Sequence, residues 1–175
     1  LNIPATTFVS SAQPNNNFSS DPLIYVGTDS AYSDCIGLME IILPPLPVTR
    51  VDSALLQLAV VAKSGGAPSP VVVNRVTSAF SAATVTYNTQ PAFTATPSNV
   101  DVTATDLFTV VEIDVTEIVN NWLNGDLPNY GIALTNSDGI TVVQFATNNI
   151  IFEPYFPMLT LTYSEPVSAI CFSYA

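Results

Sequence analysis

The chain has 175 residues, 48% of them hydrophobic, which is enough for one domain with a sizeable core and excludes a disordered segment. Only 10% are charged: three cations (Arg50, Lys63 and Arg75) stand against 14 acidic residues, a net charge of −11. That balance excludes an electrostatic footprint for nucleic acid or an anionic membrane, and no run of 18 apolar residues offers a membrane span.

In chain order the pattern is one of short strands and turns. "TTFVSS" (6–11), "PLIYVGTD" (22–29), "GLMEIILP" (37–44), "SALLQLAVVA" (53–62) and "SPVVVNRVT" (69–77) read as strands. So do "TVTYNT" (84–89), "NVDVTA" (99–104), "FTVVEIDV" (108–115), "YGIALTNSDG" (130–139), "ITVVQFATN" (140–148) and "PMLTLTYS" (157–164). All are rich in Val, Ile, Thr and aromatics and are punctuated by Gly, Pro, Asn, Asp and Ser. Many short strands at this spacing predict an all-β jelly-roll β-sandwich, and the 14 prolines suit loops and strand ends.

One segment departs from this. "DVTEIVNNWLNG" predicts a short capping helix over about 114–124. Asp114 and Glu117 have capping-box spacing, and Val115, Ile118, Val119, Trp122 and Leu123 share one face. Gly125 is placed to stop it. The expectation is that Trp122 plugs an open end of the sandwich; stacking on a sugar ring is its alternative role.

The last residues, "SEPVSAICFSYA" (164–175), alternate again, with Ile170, Phe172 and Tyr174 on one side and Cys171 on the other. They read as an extension strand beyond a domain of residues 1–163. Such a strand serves either its own sandwich or the exposed sheet edge of another copy. Ile170, Cys171, Phe172 and Tyr174 are therefore candidate subunit-interface residues. The two cysteines, Cys35 and Cys171, are a candidate disulfide, within one chain or between neighbours.

Chemistry is sparse. The chain has no histidine, which removes the usual general base and every Ser-His triad. Asp114 has a capping role, and Asp101, Asp106 and Glu112 alternate with apolar strand residues and read as solvated edges or turns, so no enzymatic activity is expected. No cofactor is expected beyond a candidate Ca²⁺ site, for which Asp29 and Asp34 in "TDSAYSD" and Asp138 in "TNSDG" offer oxygen ligands on loops.

Several stretches together resemble the DNRLRE-domain family, which overlaps family 96 of carbohydrate-binding modules. They are "TTFVSSAQPNNNFSSDPLIYVGTD", "VTRVDSALLQLAVV", "VVVNRVTSAFSAATVTYNTQPAF", "VEIDVTEIVNNWLNGDLPNYGIALTNSDG" and "PYFPMLTLTY", covering most of 6–163. The resemblance implies a non-catalytic jelly roll of bacterial or archaeal secreted and surface proteins, some of them polysaccharide-binding. The chain departs from the family pattern at Glu40 and Tyr87 and has no cation from Ala146 to Pro157. Basic residues suited to a uronate carboxylate are therefore largely missing.

Two functions follow as expectations. The first is a structural subunit of an extracellular surface fibre (a spore appendage, pilus-like filament or sheath), a homopolymer joined by exchange of the C-terminal strand and locked by disulfides. The alternative is a carbohydrate-binding module that holds polysaccharide on surface aromatics, with Tyr25, Tyr32, Tyr87, Tyr130 and Tyr155 as candidates. Neither inserts into a membrane.

Overall fold

The computed structural model of the chain describes residues 1–165. It contains ten strands: β1 (Thr6–Ser10), β2 (Leu23–Asp29), β3 (Ser33–Met39), β4 (Ser53–Lys63), β5 (Ser69–Val76), β6 (Phe93–Val102), β7 (Val110–Asp114), β8 (Ile132–Thr135), β9 (Val142–Ala146) and β10 (Met158–Thr162). One helix, α1 (Thr116–Leu123), follows β7. The pairings are antiparallel, in the order β10-β4-β9-β2-β3-β8-β5-β6, with β1 added beside β3 and β7 beside β4. This is the expected jelly-roll sandwich.

Strand β4 joins the two layers. Its first half lies between β10 and β7, and after a bulge between Val60 and Ala62 its end pairs with β9. The alternation of its side chains explains the layering: Ala54, Leu56 and Leu58 point inward and are buried, while Leu55 and Gln57 are half-exposed. Between the layers lies the main core, with Phe8, Ile24, Leu56, Ile113, Phe145 and Leu159 almost fully enclosed. Burying each such side chain contributes roughly 1.5–3 kcal/mol. A second, smaller cluster sits on the back of the larger sheet, where Val9, Leu38, Val76 and Ala133 are covered by Val85, Phe80 and Tyr87.

That back layer explains one departure from the sequence expectation. "TVTYNT" is not a strand: Tyr87–Thr89 form a turn of 3-10 helix. Thr86 and Thr89 cap each other, and Asn88 is tied to Pro14 O (3.0 Å) and to Asn15 Oδ1 (2.7 Å). Local Thr and Asn hydrogen bonding outcompeted the strand propensity of the same residues. Likewise the strand expected at 37–44 starts earlier and stops at Met39, ahead of the prolines at 44, 45 and 47.

Strand β6 runs longer than expected and, among the described residues, is an edge strand that pairs only with β5. Its register shifts between Val72↔Asn99 and Asn74↔Ala95, so Thr96, Pro97 and Ser98 bulge outward. An edge bulge tolerates proline, whose missing N–H costs no ladder bond there. The bulge brings residues 97–99 to the side of α1.

The helix is two residues shorter at its start than expected. Its N-cap position is Val115, which has no side-chain cap, so Asp114 is not the cap; one residue earlier, Asp114 Oδ1 accepts from the Thr116 N–H (2.9 Å) and from the Thr116 hydroxyl (2.5 Å). Glu117 does not complete a box. The start of α1 is pinned to β4 by Val115 N–H donating to Ala54 O (2.9 Å) and Ala54 N–H donating to Thr116 Oγ1 (2.9 Å). Trp122 is 9% exposed and closes the end of the core against Ile41, Leu56 and Leu159, leaving a residual apolar void of about 10 Å³. The plug expected from the sequence is thus present, and its ring is not available for stacking.

Candidate functional site

Two of the three acidic residues singled out as cation ligands, Asp29 and Asp138, are occupied in shaping turns. Asp29, at the end of β2, accepts from the Ala31 and Tyr32 N–H groups through Oδ2 (2.8 and 2.9 Å). Asp34 is exposed at the start of β3, and its N–H donates to Ser11 Oγ (2.9 Å). Asp138 accepts from the Ile140 and Thr141 N–H groups (2.8 Å each) and from the Thr141 hydroxyl. Burial would raise the Asp138 pKa, but these bonds and nearby Lys63 outweigh it and hold the carboxyl below its ordinary value. Gly27, at φ +123°, allows the loop carrying Asp138 to pack closely, since a Cβ there would lie 2.2 Å from Thr141 O. Among the described residues no three acidic or cysteine side chains converge as a metal cage.

Cys35 is buried, and its thiol is pushed up to about 12 by burial and then by Asp29 and Asp34. The proposed partner Cys171 and the interface residues Ile170, Phe172 and Tyr174 lie outside the described residues.

Of the tyrosines considered as a binding face, Tyr25 and Tyr32 belong to a packed aromatic group. Phe8 stacks on Phe18 (centroids 4.3 Å apart, 15°), and Tyr25 and Tyr32 pack around Phe8 at 5.0 and 5.4 Å. Burial raises the Tyr25 pKa, with Tyr32 and the nearby acids adding to it. Tyr87 covers the back cluster. Tyr130 is 37% exposed, beside Ile42 and Phe80. Tyr155 is half-buried; its hydroxyl donates to Phe108 O (3.0 Å), and its ring meets Phe152 edge-on at 4.8 Å.

A large concave feature is an open polar groove of about 530 Å³ between α1 and the β6 bulge. Its walls include Arg50, Asn99, Asp114, Glu117, Asn121 and Asn124. A neighbouring recess of about 190 Å³ shares Pro97, Ser98, Glu117 and Asn121 and adds Arg75. Two of the chain's three cations therefore line adjoining recesses, Arg50 the groove and Arg75 its neighbour. The third, Lys63, is committed to the carbonyls of Ser64, Gly65 and Ala67.

The geometry behind the groove is rigid. Asn120 is 7% exposed, and its amide makes a two-way clasp with Val51, accepting from the N–H (2.8 Å) and donating to the carbonyl (3.0 Å). That clasp fixes the segment that presents Arg50. Asp114 is held below the ordinary carboxylate pKa, chiefly by the Thr116 hydroxyl and then by its N–H. A carboxyl kept ionised in this way cannot serve as the general acid of a glycosidase pair. What the groove offers instead is a set of amide, guanidinium and carboxylate groups facing solvent, suited to pairing with vicinal hydroxyls.

Sequence reasoning missed these residues because Arg50, Arg75, Asn99 and Asn121 come from four separated segments. The one available signal was Asn120, an amide set among the apolar positions Ile118, Val119 and Trp122.

With this geometry in view, the chain can be compared with known protein families. The family model for carbohydrate-binding module family 96 matches residues 1–159. No curated protein matches the chain at a significant level.

Proposed function

This chain belongs to carbohydrate-binding module family 96, and on that premise we propose that it binds polysaccharide, without cleaving it, in the groove between α1 and the β6 bulge, as an extracellular or cell-surface protein. The observation that carries the reading is the convergence of Arg50 with Asn99, Glu117 and Asn121 in one open groove, with Arg75 in the recess that adjoins it. In a chain with three cations, placing two of them in adjoining recesses favours ligand contact over a solvated face.

The mechanism is hydrogen bonding on a rigid wall. Guanidinium and amide groups donate to sugar hydroxyl or ring oxygens, and Glu117 and the amide oxygens accept from hydroxyls. Because β6, α1 and the Asn120–Val51 clasp fix the walls, little ordering entropy is lost on binding. The openness of the groove suits a chain passing through it. The absence of histidine and the ionised Asp114 support binding without hydrolysis.

The family favours this reading over that of a self-assembling surface fibre, which rests on a tail that lies mostly outside the described residues. The sequence departures pointed away from acidic sugars; Arg50 in the groove, with Arg75 in the adjoining recess, reopens that possibility.

The test is affinity electrophoresis and calorimetry of the chain against a panel of soluble neutral and acidic polysaccharides. Arg50→Ala and Asn121→Ala are expected to weaken binding about tenfold each, the loss of one charged or neutral hydrogen bond. Unchanged binding by both variants would place the site elsewhere, and no binding to any polysaccharide would overturn the reading.

A further inference from the structure

We infer that the exposed aromatic surface of Phe108, Phe152 and Tyr155 is a second subsite for the same saccharide chain, taking the apolar face of an uncharged pyranose. This rests on the groove reading above. Phe108 is 65% exposed and Phe152 54% exposed, and Val110 and Met158, the first residues of the strands that follow in the chain, are exposed as well. Contiguous apolar surface of this kind, rimmed by polar residues, marks a contact site.

The surface is built. Phe108 has φ +61°, a left-handed conformation that is unfavourable for an aromatic residue. Its backbone is held on both sides: its N–H donates to Val60 O (2.8 Å) and its carbonyl accepts from the Tyr155 hydroxyl (3.0 Å). Tyr155 in turn sets Phe152 edge-on. The fold thus holds a strained residue in a position that presents its ring to water, a cost that the core does not recover.

Continuity with the groove favours a saccharide as occupant. The outward residues of β7 are Val110, Glu112 and Asp114, all exposed. Val110 borders the aromatic surface, and Asp114 stands in the groove wall. Four residues of strand separate them by about 14 Å, a span that a few rings of an extended saccharide bridge. Aromatic faces take the C–H side of a sugar ring while its hydroxyls reach polar groups at the rim, here Gln57, Thr160 and Glu112.

Charge selects against acidic rings on this surface. Glu112 lies midway along the path, and Asp106 and Glu153 belong to the two segments that supply Phe108 and Phe152. The cations are elsewhere, Arg50 and Arg75 on the groove and Lys63 in its own turn. A uronate or sulfated ring would be repelled, whereas a neutral one is not.

The experiment uses the 175-residue chain and the variants Phe108→Gly, Phe152→Ala and Arg50→Ala. Glycine accepts the backbone angle at 108, so that variant keeps its fold, which circular dichroism verifies. Calorimetry is run with soluble xylan, mixed-linkage β-glucan and galactomannan as neutral chains, and with alginate as the acidic one. The platform variants are expected to lose about five- to tenfold in affinity for the neutral chain that binds best. Their affinity for a disaccharide of the same sugar should not change, and Arg50→Ala should weaken both. Loss with Arg50→Ala but not with either platform variant overturns the subsite and spares the groove. No binding by the native chain overturns both. If the platform variants bind normally but turn a dimer into a monomer by sedimentation, the surface is a contact between copies and the inference fails.

Discussion

Two aromatic groups of this molecule have similar composition and opposite surroundings. Phe8, Phe18, Tyr25 and Tyr32 pack against one another beside the main core, with Phe8 fully buried and Phe18 stacked on it. Phe108, Phe152 and Tyr155 lie on the outer side of the smaller layer, two of them more than half exposed. Part of the difference comes from position in the chain. Phe8 and Tyr25 sit in strands whose alternation points them at other elements, and Phe18 and Tyr32, which lie outside strands, fold onto Phe8; Phe108, in the turn before β7, and Phe152, ahead of a turn of 3-10 helix, are instead left outward. Strand residues are placed by the pleat, while turn residues are placed by local hydrogen bonds that need not bury them. An aromatic ring in a turn, fixed outward by such bonds, is therefore a better pointer to a ligand than one in a strand.

The sharpest way to break this contrast is stability. Phe8→Ala should cost about 3–5 kcal/mol, since it opens a cavity in close-packed surroundings. Phe152→Ala should stay within about 0.5 kcal/mol, as for other exposed positions. Urea unfolding midpoints measure both. A Phe152 cost near that of Phe8 would mean that the outer aromatics serve packing. Trp122 sits between the extremes. It is buried, but its Nε1 finds no hydrogen-bond partner among the described residues. Trp122→Ala should cost about 3–5 kcal/mol. Trp122→Phe should cost about 1 kcal/mol or less, because removing an unpaired N–H offsets the lost volume.

The next effect is smaller and reaches the groove. Asn120→Ala strands the Val51 N–H and carbonyl away from water, a loss of roughly 1–3 kcal/mol. It should also weaken polysaccharide binding, because the segment carrying Arg50 loses its anchor. Unchanged affinity in a destabilised Asn120→Ala variant would separate the clasp from the site.

These cases show what the sequence made legible. Strands such as 53–62 and 157–164, and the helix with Trp122 as its plug, were readable because period and hydrophobicity agree there. The turn at Tyr87–Thr89 was not, since Thr and Asn side chains captured the backbone that β-branched residues predicted to be extended. The candidate binding surfaces were the least legible. Tyr25 and Tyr32 looked available because nothing in "PLIYVGTD" or "TDSAYSD" reveals that they close around Phe8. Arg50 and Arg75 looked scattered because their placement in adjoining recesses depends on the β6 bulge and on an amide clasp between residues 69 positions apart. Pairwise contacts of that range leave no local pattern.

A chemical contrast extends the same comparison. Cys35 contributes to the charge environment of Tyr25, within the packed region, and its thiol is raised to about 12, mainly by burial. At pH 8 almost none of it is thiolate, so alkylation of Cys35 in the folded chain should be slower by orders of magnitude than in urea. Peptide mapping after timed iodoacetamide treatment reads Cys35 separately from Cys171. Rapid native labelling of Cys35 would mean that the packed aromatic region opens readily.

The smallest expected effect is electrostatic and lies at the groove end of the β7 path. Asp114 has its pKa lowered by the Thr116 hydroxyl and N–H, with only a slight opposing effect of burial. A carboxyl whose folded value is depressed adds stability above its unfolded value, near 3.9, and loses it as pH falls through the folded value. Asp114→Asn keeps an oxygen acceptor for Thr116 but removes the charge. The native chain should therefore melt slightly above the variant at neutral pH, and the gap should close below about pH 4. Because Asp114 is exposed, the gap will be small and will shrink further in salt. A gap that instead persists unchanged to pH 2 would show that the hydrogen bonds, and not the charge, hold the start of α1. The carboxylate would then be left free to contact ligand from the groove wall.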